Sequence, residues 1–110
     1  AHMRIAAAVN EPTIKSLIAE RFARAPYFII VDENGNLLEA IENTNAEQGH
    51  GAGGAAVRLL SKHNIDLVIV PRLGPNAEEA LAQAGIKHFK AEGLTLEEAL
   101  YSLEGKGASL

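Results

Sequence analysis

The first part of the chain contains short apolar runs rich in β-branched and aromatic residues, separated by polar turn residues. Three of these runs, Met3–Val9, Tyr27–Asp32 and Leu37–Asn43, predict strands. The second and third runs are joined by a polar segment that contains the Asn34-Gly35 pair, a frequent hairpin turn. The pattern therefore predicts that the second and third strands are antiparallel.

The remainder of the chain alternates between helical and strand patterns. Asp66–Pro71 is a nearly continuous apolar run, which predicts a strand buried on both faces at the centre of the sheet. The other predicted elements are a helix with an apolar face from Ala55 to His63, a helix from Gly74-Pro75 to Gly85, a strand over Ile86–Lys90, and a last helix from a capping box of Thr95 and Glu98 through Leu103.

Thr13–Arg24 has an ambiguous pattern. Its apolar residues recur at helical spacing, so the segment is either a helix or an irregular loop with one helical turn. Together the elements predict an α/β fold: a mixed five-stranded sheet, with three antiparallel strands followed by β-α-β units and helices packed on it. We expect one domain over residues 3–104, a cloning scar at 1–2 and a flexible tail at 105–110.

Composition narrows the classes of function. The chain has 14 acidic and 10 basic residues and no Lys/Arg stripe, which argues against a nucleic-acid partner. It has no cysteine, so it forms no disulfide and holds no cluster through its own thiolates. The apolar runs are too short to span a membrane, and no leader precedes Met3. We therefore expect a cytoplasmic protein with no membrane partner.

A glycine-rich segment, Gly49–Gly54, opens the first long helix. Its spacing matches G-x-G-x-x-G, but the strands before it form a hairpin, whereas a dinucleotide fingerprint follows a parallel strand directly. Small residues at a helix start admit an anion to unpaired backbone N–H groups, or they only allow the helix to press closely on the sheet. His50 within this segment is either a ligand or proton-transfer group, or an idle exposed histidine.

A second turn, Arg72–Asn76, follows the buried strand and opens the next helix, where open α/β sheets bind ligands. Ordinary turn chemistry also explains its Gly-Pro pair. A charged patch around Arg21 and Arg24 is by default a solvated face. His63 and His88 are expected to have structural roles. The first strand carries no carboxylate, and no hydrolase signature is present, so we do not expect an enzyme.

These segments together resemble the dinitrogenase iron-molybdenum cofactor biosynthesis family, accessory and carrier proteins of nitrogenase cofactor assembly. The resemblance implies a ribonuclease H-like fold and the binding of an iron–sulfur or iron–molybdenum cluster precursor that passes unchanged between cluster-assembly proteins. The segments that carry the resemblance are Met3–Ala6, Phe22–Phe28, Gly49–Gly53, Asp66–Val70 and Leu73–Ala77.

The implied site combines the charged patch with the starts of two predicted helices, those opened by Gly49–Gly54 and by Arg72–Asn76. His50 would ligate a metal of the cluster in place of cysteine. Family members often carry His-Phe-Gly where this chain has Arg21-Phe22-Ala23, and an arginine there can instead pair with an anionic guest. The alternative is a small anion- or nucleotide-binding regulatory module that uses no metal. The candidate binding residues are Arg21, Arg24, Gly49, His50, Gly51, Gly53, Arg72, Gly74 and Asn76.

Overall fold

A computed structural model of the chain describes residues 3–44 and 52–105. Within them, five strands form one sheet in the order β3-β2-β1-β4-β5, and three helices accompany it. This confirms the predicted α/β class and the mixed five-stranded sheet. The strands are β1 (Ile5–Val9), β2 (Tyr27–Val31), β3 (Leu37–Glu42), β4 (Leu67–Val70) and β5 (Lys87–Lys90), and the helices are α1 (Ala52–Ser61), α2 (Pro75–Ala84) and α3 (Leu96–Gly105).

The antiparallel and parallel halves of the sheet meet at β1, as predicted. This strand pairs antiparallel with β2 and parallel with β4, while β3 and β5 continue the two halves outwards. The prediction that β4 is the central strand is wrong, because β1 is the middle strand of the five. Both strands are buried along their whole length, so an apolar run alone does not distinguish the central strand from its neighbour.

The core has two layers, one on each face of the sheet. Alternate residues of β1 belong to different layers, since successive side chains of a strand point to opposite faces. Ala6 and Ala8 belong to the layer that includes α1 and α2, whereas Ile5, Ala7 and Val9 belong to the layer that includes α3. Helices α1 and α2 thus pack on one face of the sheet and α3 packs on the other, and apolar side chains fill both interfaces.

The segment from Thr13 to Arg24 is irregular, and the helical alternative is wrong. Its backbone groups bond to distant parts of the chain: the Ala19 N–H donates to the Ala8 carbonyl at 2.8 Å, and the Ile18 N–H donates to the Leu94 carbonyl at 2.8 Å. Ile18 is buried in the α3 layer, whereas Phe22 is buried in the opposite layer. The segment therefore wraps the end of the sheet and packs apolar residues into both layers.

Local signals in the sequence correspond to observed turns and caps. Gly35 has φ +86° in the β2–β3 hairpin, where Asp32 Oδ1 accepts hydrogen bonds from the backbone of the turn, and Gly85 ends α2 at φ +73°. The capping box is also present: the Thr95 N–H donates to Glu98 Oε1 at 2.9 Å and the Glu98 N–H donates to Thr95 Oγ1 at 3.1 Å. The helix after this box continues past Leu103 to Gly105.

None of the helices in the described ranges is both long and apolar enough to cross a lipid bilayer.

Candidate anion-binding cleft

An open cleft of about 660 Å³ lies at the carboxyl ends of the parallel strands. Asn10 directly follows β1, and Arg72 and Glu92 come shortly after β4 and β5. Because parallel strands end at the same edge of a sheet, these three residues meet although they are distant in sequence. The lining residues are Asn10, Leu17, Ile18, Ala19, Glu20, Arg21, Arg72, Leu73, Gly74, Glu92 and Gly93.

The irregular segment forms one wall of this cleft. Its backbone makes isolated bridges to three parts of the fold, pairing Val9 with Ile18, Leu17 with Thr95 and Arg21 with Arg72. The last of these bridges places the two arginines side by side at the cleft mouth. Backbone pairing therefore holds the wall to the ends of β1 and β4 and to the residue before α3. The position of Arg21 is set by this pairing.

A buried serine holds the turn that follows β1. Ser16 is only 2% exposed, and its hydroxyl accepts hydrogen bonds from the N–H groups of Asn10 at 3.1 Å and Glu11 at 3.0 Å. The same hydroxyl donates to the Leu17 carbonyl at 2.9 Å. The Ser16 side chain thus provides a hydrogen-bond acceptor for two backbone N–H groups of the turn. This stabilises the turn, because a buried N–H without a partner would be costly.

A buried asparagine holds the other end of the wall. Asn43, which follows β3 and is 5% exposed, donates through Nδ2 to the carbonyls of Ala23 at 3.0 Å and Ala25 at 2.8 Å. Its backbone N–H also donates to the Pro26 carbonyl at 2.9 Å. Asn43 therefore fixes the stretch of chain next to Arg24 against the edge of the sheet.

Six of the predicted binding residues converge on one surface. A depression of about 270 Å³ beside the main cleft is shared by the irregular segment, the start of α1 and the start of α2. Its lining includes the six predicted residues Arg21, Arg24, Gly53, Arg72, Gly74 and Asn76. The remaining three, Gly49, His50 and Gly51, lie outside the described residues.

The start of α2 presents backbone donors to this depression. Gly74 is the N-cap in an extended conformation, no side chain caps the helix, and Pro75 occupies the first turn. A Cβ at Gly74 would meet no atom of the described residues within 4 Å, so the space beside Gly74 is open with respect to them. The helix dipole and these backbone N–H groups favour an anion at this position.

Gly53 in α1 allows the two helices to approach closely. A Cβ at this position would lie 3.4 Å from Ala77 Cβ and 3.5 Å from Ala77 Cα. The glycine therefore brings α1 against α2, whereas the sequence suggested that the glycines allow α1 to press on the sheet. This contact sets the width of the depression at its helical side.

The charges around the cleft are mixed. Arg21, Arg24 and Arg72 supply positive charge, and Glu20 and Glu92 line the same region. Arg72 Nη2 lies 3.9 Å from Glu92 Oε2. Among the described residues, the lining of the smaller depression includes three arginines and no acidic residue.

The two described histidines lie away from the cleft. His63 follows α1, and its Nδ1 is 3.0 Å from Glu39 Oε2, while His88 lies exposed in β5. Neither residue lines the cleft or the depression. Across residues 3–44 and 52–105 no group of three or more His, Cys, Asp or Glu side chains is arranged to hold a metal ion.

Sequence reasoning missed Asn10, Ser16, Asn43 and Glu92. Glu92 and Asn10 come after strands in the same way as Arg72, so the rule that selected Arg72 also applies to them. Ser16 and Asn43 are polar residues in loops, and no local pattern distinguishes a buried loop amide or hydroxyl from an exposed one. Their importance is visible only in their contacts.

The fold and the cleft define a small α/β protein in which strand ends, helix starts and three arginines line one surface. The chain belongs to the dinitrogenase iron-molybdenum cofactor family, whose sequence model matches residues 3–106. This confirms the resemblance on which the sequence analysis relied.

Individual relatives support the same assignment. An uncharacterised protein of Methanocaldococcus jannaschii is 33% identical over 99 residues, which cover 86% of this chain and 84% of that protein. The apo form of the orange protein from Desulfovibrio gigas superposes with a TM-score of 0.86 at 34% identity, covering 98% of this chain and 92% of that one. A putative NifB protein from Thermotoga superposes with a TM-score of 0.77 at 37% identity, covering 96% and 90% respectively.

Proposed function

We propose that this chain binds and carries an iron–sulfur or iron–molybdenum cofactor precursor, delivering it to other cluster-assembly proteins without changing it chemically. The observation that carries the proposal is the placement of Arg21 and Arg72 beside the uncapped start of α2. A sulfide-rich cluster is an anion, and two guanidinium groups with free backbone donors suit it. Membership of a family described by the iron-molybdenum cofactor, and likeness to a putative NifB protein, support the same guest.

Membership of the family supports the remaining parts of the proposal. The sheet is a ribonuclease H-like fold, the protein is a cytoplasmic carrier and not an enzyme, and Gly49, His50 and Gly51 complete the site. His50 serves as the metal ligand of the cluster, since an imidazole can bind iron where cysteine is absent. The described arginines then hold the cluster by charge, and His50 provides the coordinating bond.

The test is an anaerobic titration of isotope-labelled protein with a synthetic iron–molybdenum–sulfur cluster, followed through the backbone amide signals. We expect changes concentrated at residues 21–24, 49–54 and 72–77. The variant His50→Ala should bind more weakly while its thermal stability stays the same. Unchanged amide signals throughout the chain would refute cluster carriage.

The second candidate is a regulatory module that binds a phosphate compound or nucleotide without metal. It is favoured by the lining of the 270 Å³ depression, which supplies guanidinium groups and backbone donors, the usual partners of phosphate. A thermal-shift series distinguishes the two candidates, because a ligand that binds only the folded state raises the melting temperature. Protection by nucleotides and none by the cluster would select the regulatory module.

A further inference from the structure

Glu92 occupies a fixed position opposite Arg72. The two residues follow β4 and β5, which are parallel neighbours in the sheet. Just before Glu92, the Ala91 N–H donates to the Val70 carbonyl at 2.8 Å, which extends the pairing of the strands to the edge of the cleft. Gly93, with φ +83°, then turns the chain away. The backbone therefore aims Glu92 at the same cleft that Arg72 lines.

The ion pair between them is loose and accessible. Arg72 Nη2 and Glu92 Oε2 are 3.9 Å apart, and the side chains are 79% and 56% exposed. An exposed pair at this distance is screened by water and salt, so it contributes little to folding. Among the described residues, Glu92 is the carboxylate partner of Arg72 within the cleft, and a guest anion would compete with it for the guanidinium group.

We infer that Glu92 is an internal counter-anion that competes with the guest for Arg72 and thereby sets the affinity of the site. The inference rests on the proposed function and adds the residue that keeps binding reversible. When the guest binds, the Arg72 guanidinium exchanges the Glu92 carboxylate for the guest. When the guest leaves, Glu92 takes its place again, so the release of an anion does not leave Arg72 without a partner.

Glu20 provides a comparison within the same cleft. It lines the cleft as Glu92 does, and among the described residues it forms no ion pair with either arginine. Removing its charge changes the potential of the cleft without freeing a guanidinium group. Glu97, exposed in the first turn of α3, is the matched acidic residue outside the cleft.

The experiment compares the wild type with the variants Glu92→Gln, Glu20→Gln and Glu97→Gln by anaerobic titration calorimetry. The ligands are the synthetic iron–molybdenum–sulfur cluster and, in a separate series, inorganic phosphate. Glu92→Gln should bind more tightly by up to about fivefold, the upper limit for an exposed ion pair. Glu20→Gln should show a smaller gain, and Glu97→Gln should match the wild type. In the Arg72→Gln background, adding Glu92→Gln should give no more than the small gain of Glu20→Gln, because the competition for Arg72 is absent.

Each result decides the inference. Equal affinities for the wild type and Glu92→Gln would overturn it, and so would equal gains from Glu92→Gln and Glu20→Gln, which would indicate a general charge effect. Failure of the wild type to bind the cluster would refute the proposed guest alone, because the phosphate series still reports the competition at Arg72. If neither ligand binds the wild type, the competition is refuted as well. Melting temperatures verify that the variants are folded.

Discussion

Arg21 and Arg72 are joined by an isolated parallel bridge between their backbones, although three strands of the sheet and one helix separate them in sequence. Arg21 belongs to the irregular wall, and Arg72 follows a buried strand. Both residues line the cleft and the smaller depression, so the bridge brings two cationic residues to one surface, where an anion can contact both. The bridge is therefore the feature that most directly links this fold to an anionic guest.

The arginine pair should dominate guest affinity. Arg21→Gln removes a charged donor, and because a hydrogen bond to a charged group is worth about 1.5–3 kcal/mol, we expect a loss of about tenfold or more. Titration calorimetry at increasing salt checks this, and the variant should also show a weaker dependence on salt. Arg58→Gln is the control, since Arg58 is exposed on α1 and lines neither the cleft nor the depression. Equal losses in both variants would contradict a site at Arg21.

Asn43 should be required for the stability of the wall. Asn43→Ala leaves the Ala23 and Ala25 carbonyls without their donor, which should lower the free energy of unfolding by about 1–3 kcal/mol. Asn43→Asp should cost more, because a carboxylate would face two carbonyl oxygens. Urea denaturation measures both effects. Gln83→Ala, which removes an exposed side-chain hydrogen bond to Glu79, should stay within about 0.5 kcal/mol.

Ser16 should control the turn at the cleft floor. Ser16→Ala removes the acceptor of the Glu11 N–H and leaves the Asn10 N–H with its longer bond to the Leu17 carbonyl at 3.3 Å, so the free energy of unfolding should fall by about 1–3 kcal/mol. Hydrogen exchange at these two amides should also become faster. Ser61→Ala, at the exposed end of α1, is the control and should change stability by no more than about 0.5 kcal/mol. Unchanged exchange at Glu11 in Ser16→Ala would show that another group holds the turn.

Gly53 and Gly54 should differ in the side chains they tolerate. Gly53→Leu would press on the backbone of α2 at Ala77 and should destabilise the protein by about 1–3 kcal/mol. A Cβ at Gly54 would meet only the end of the Arg58 side chain at 3.3 Å, which can move aside. Gly54→Ala should therefore stabilise the helix by up to about 1 kcal/mol. Thermal denaturation compares the two, and similar losses for both would argue against a helix contact specific to Gly53.

Much of the fold follows from local signals. The hairpin turn, the end of α2 at Gly85 and the capping box at Thr95 each depend on residues close in sequence, and all three are present. The helical spacing of Thr13–Arg24 left both a helix and an irregular loop open, and the structure shows the loop for a physical reason. Ile18 and Phe22 are buried on opposite faces of the sheet and Leu17 is exposed, while the backbone of the segment bonds to β1 and to the turn before α3. The spacing of apolar residues in a sequence does not show which part of the fold each residue packs against.

The sequence by itself determined the class of the fold, the family and the three arginines of the depression. Strand runs, caps and turn residues are local signals, and the motifs of the family keep their order along the chain. Only the tertiary structure decided that β1 is central, that Arg21 lies against Arg72, and that Glu92 lies opposite Arg72. The physical reason is that these relationships depend on strand order and on pairing between distant segments. Hydrophobic burial drives that pairing, but it carries no record in the local sequence of which segments will meet.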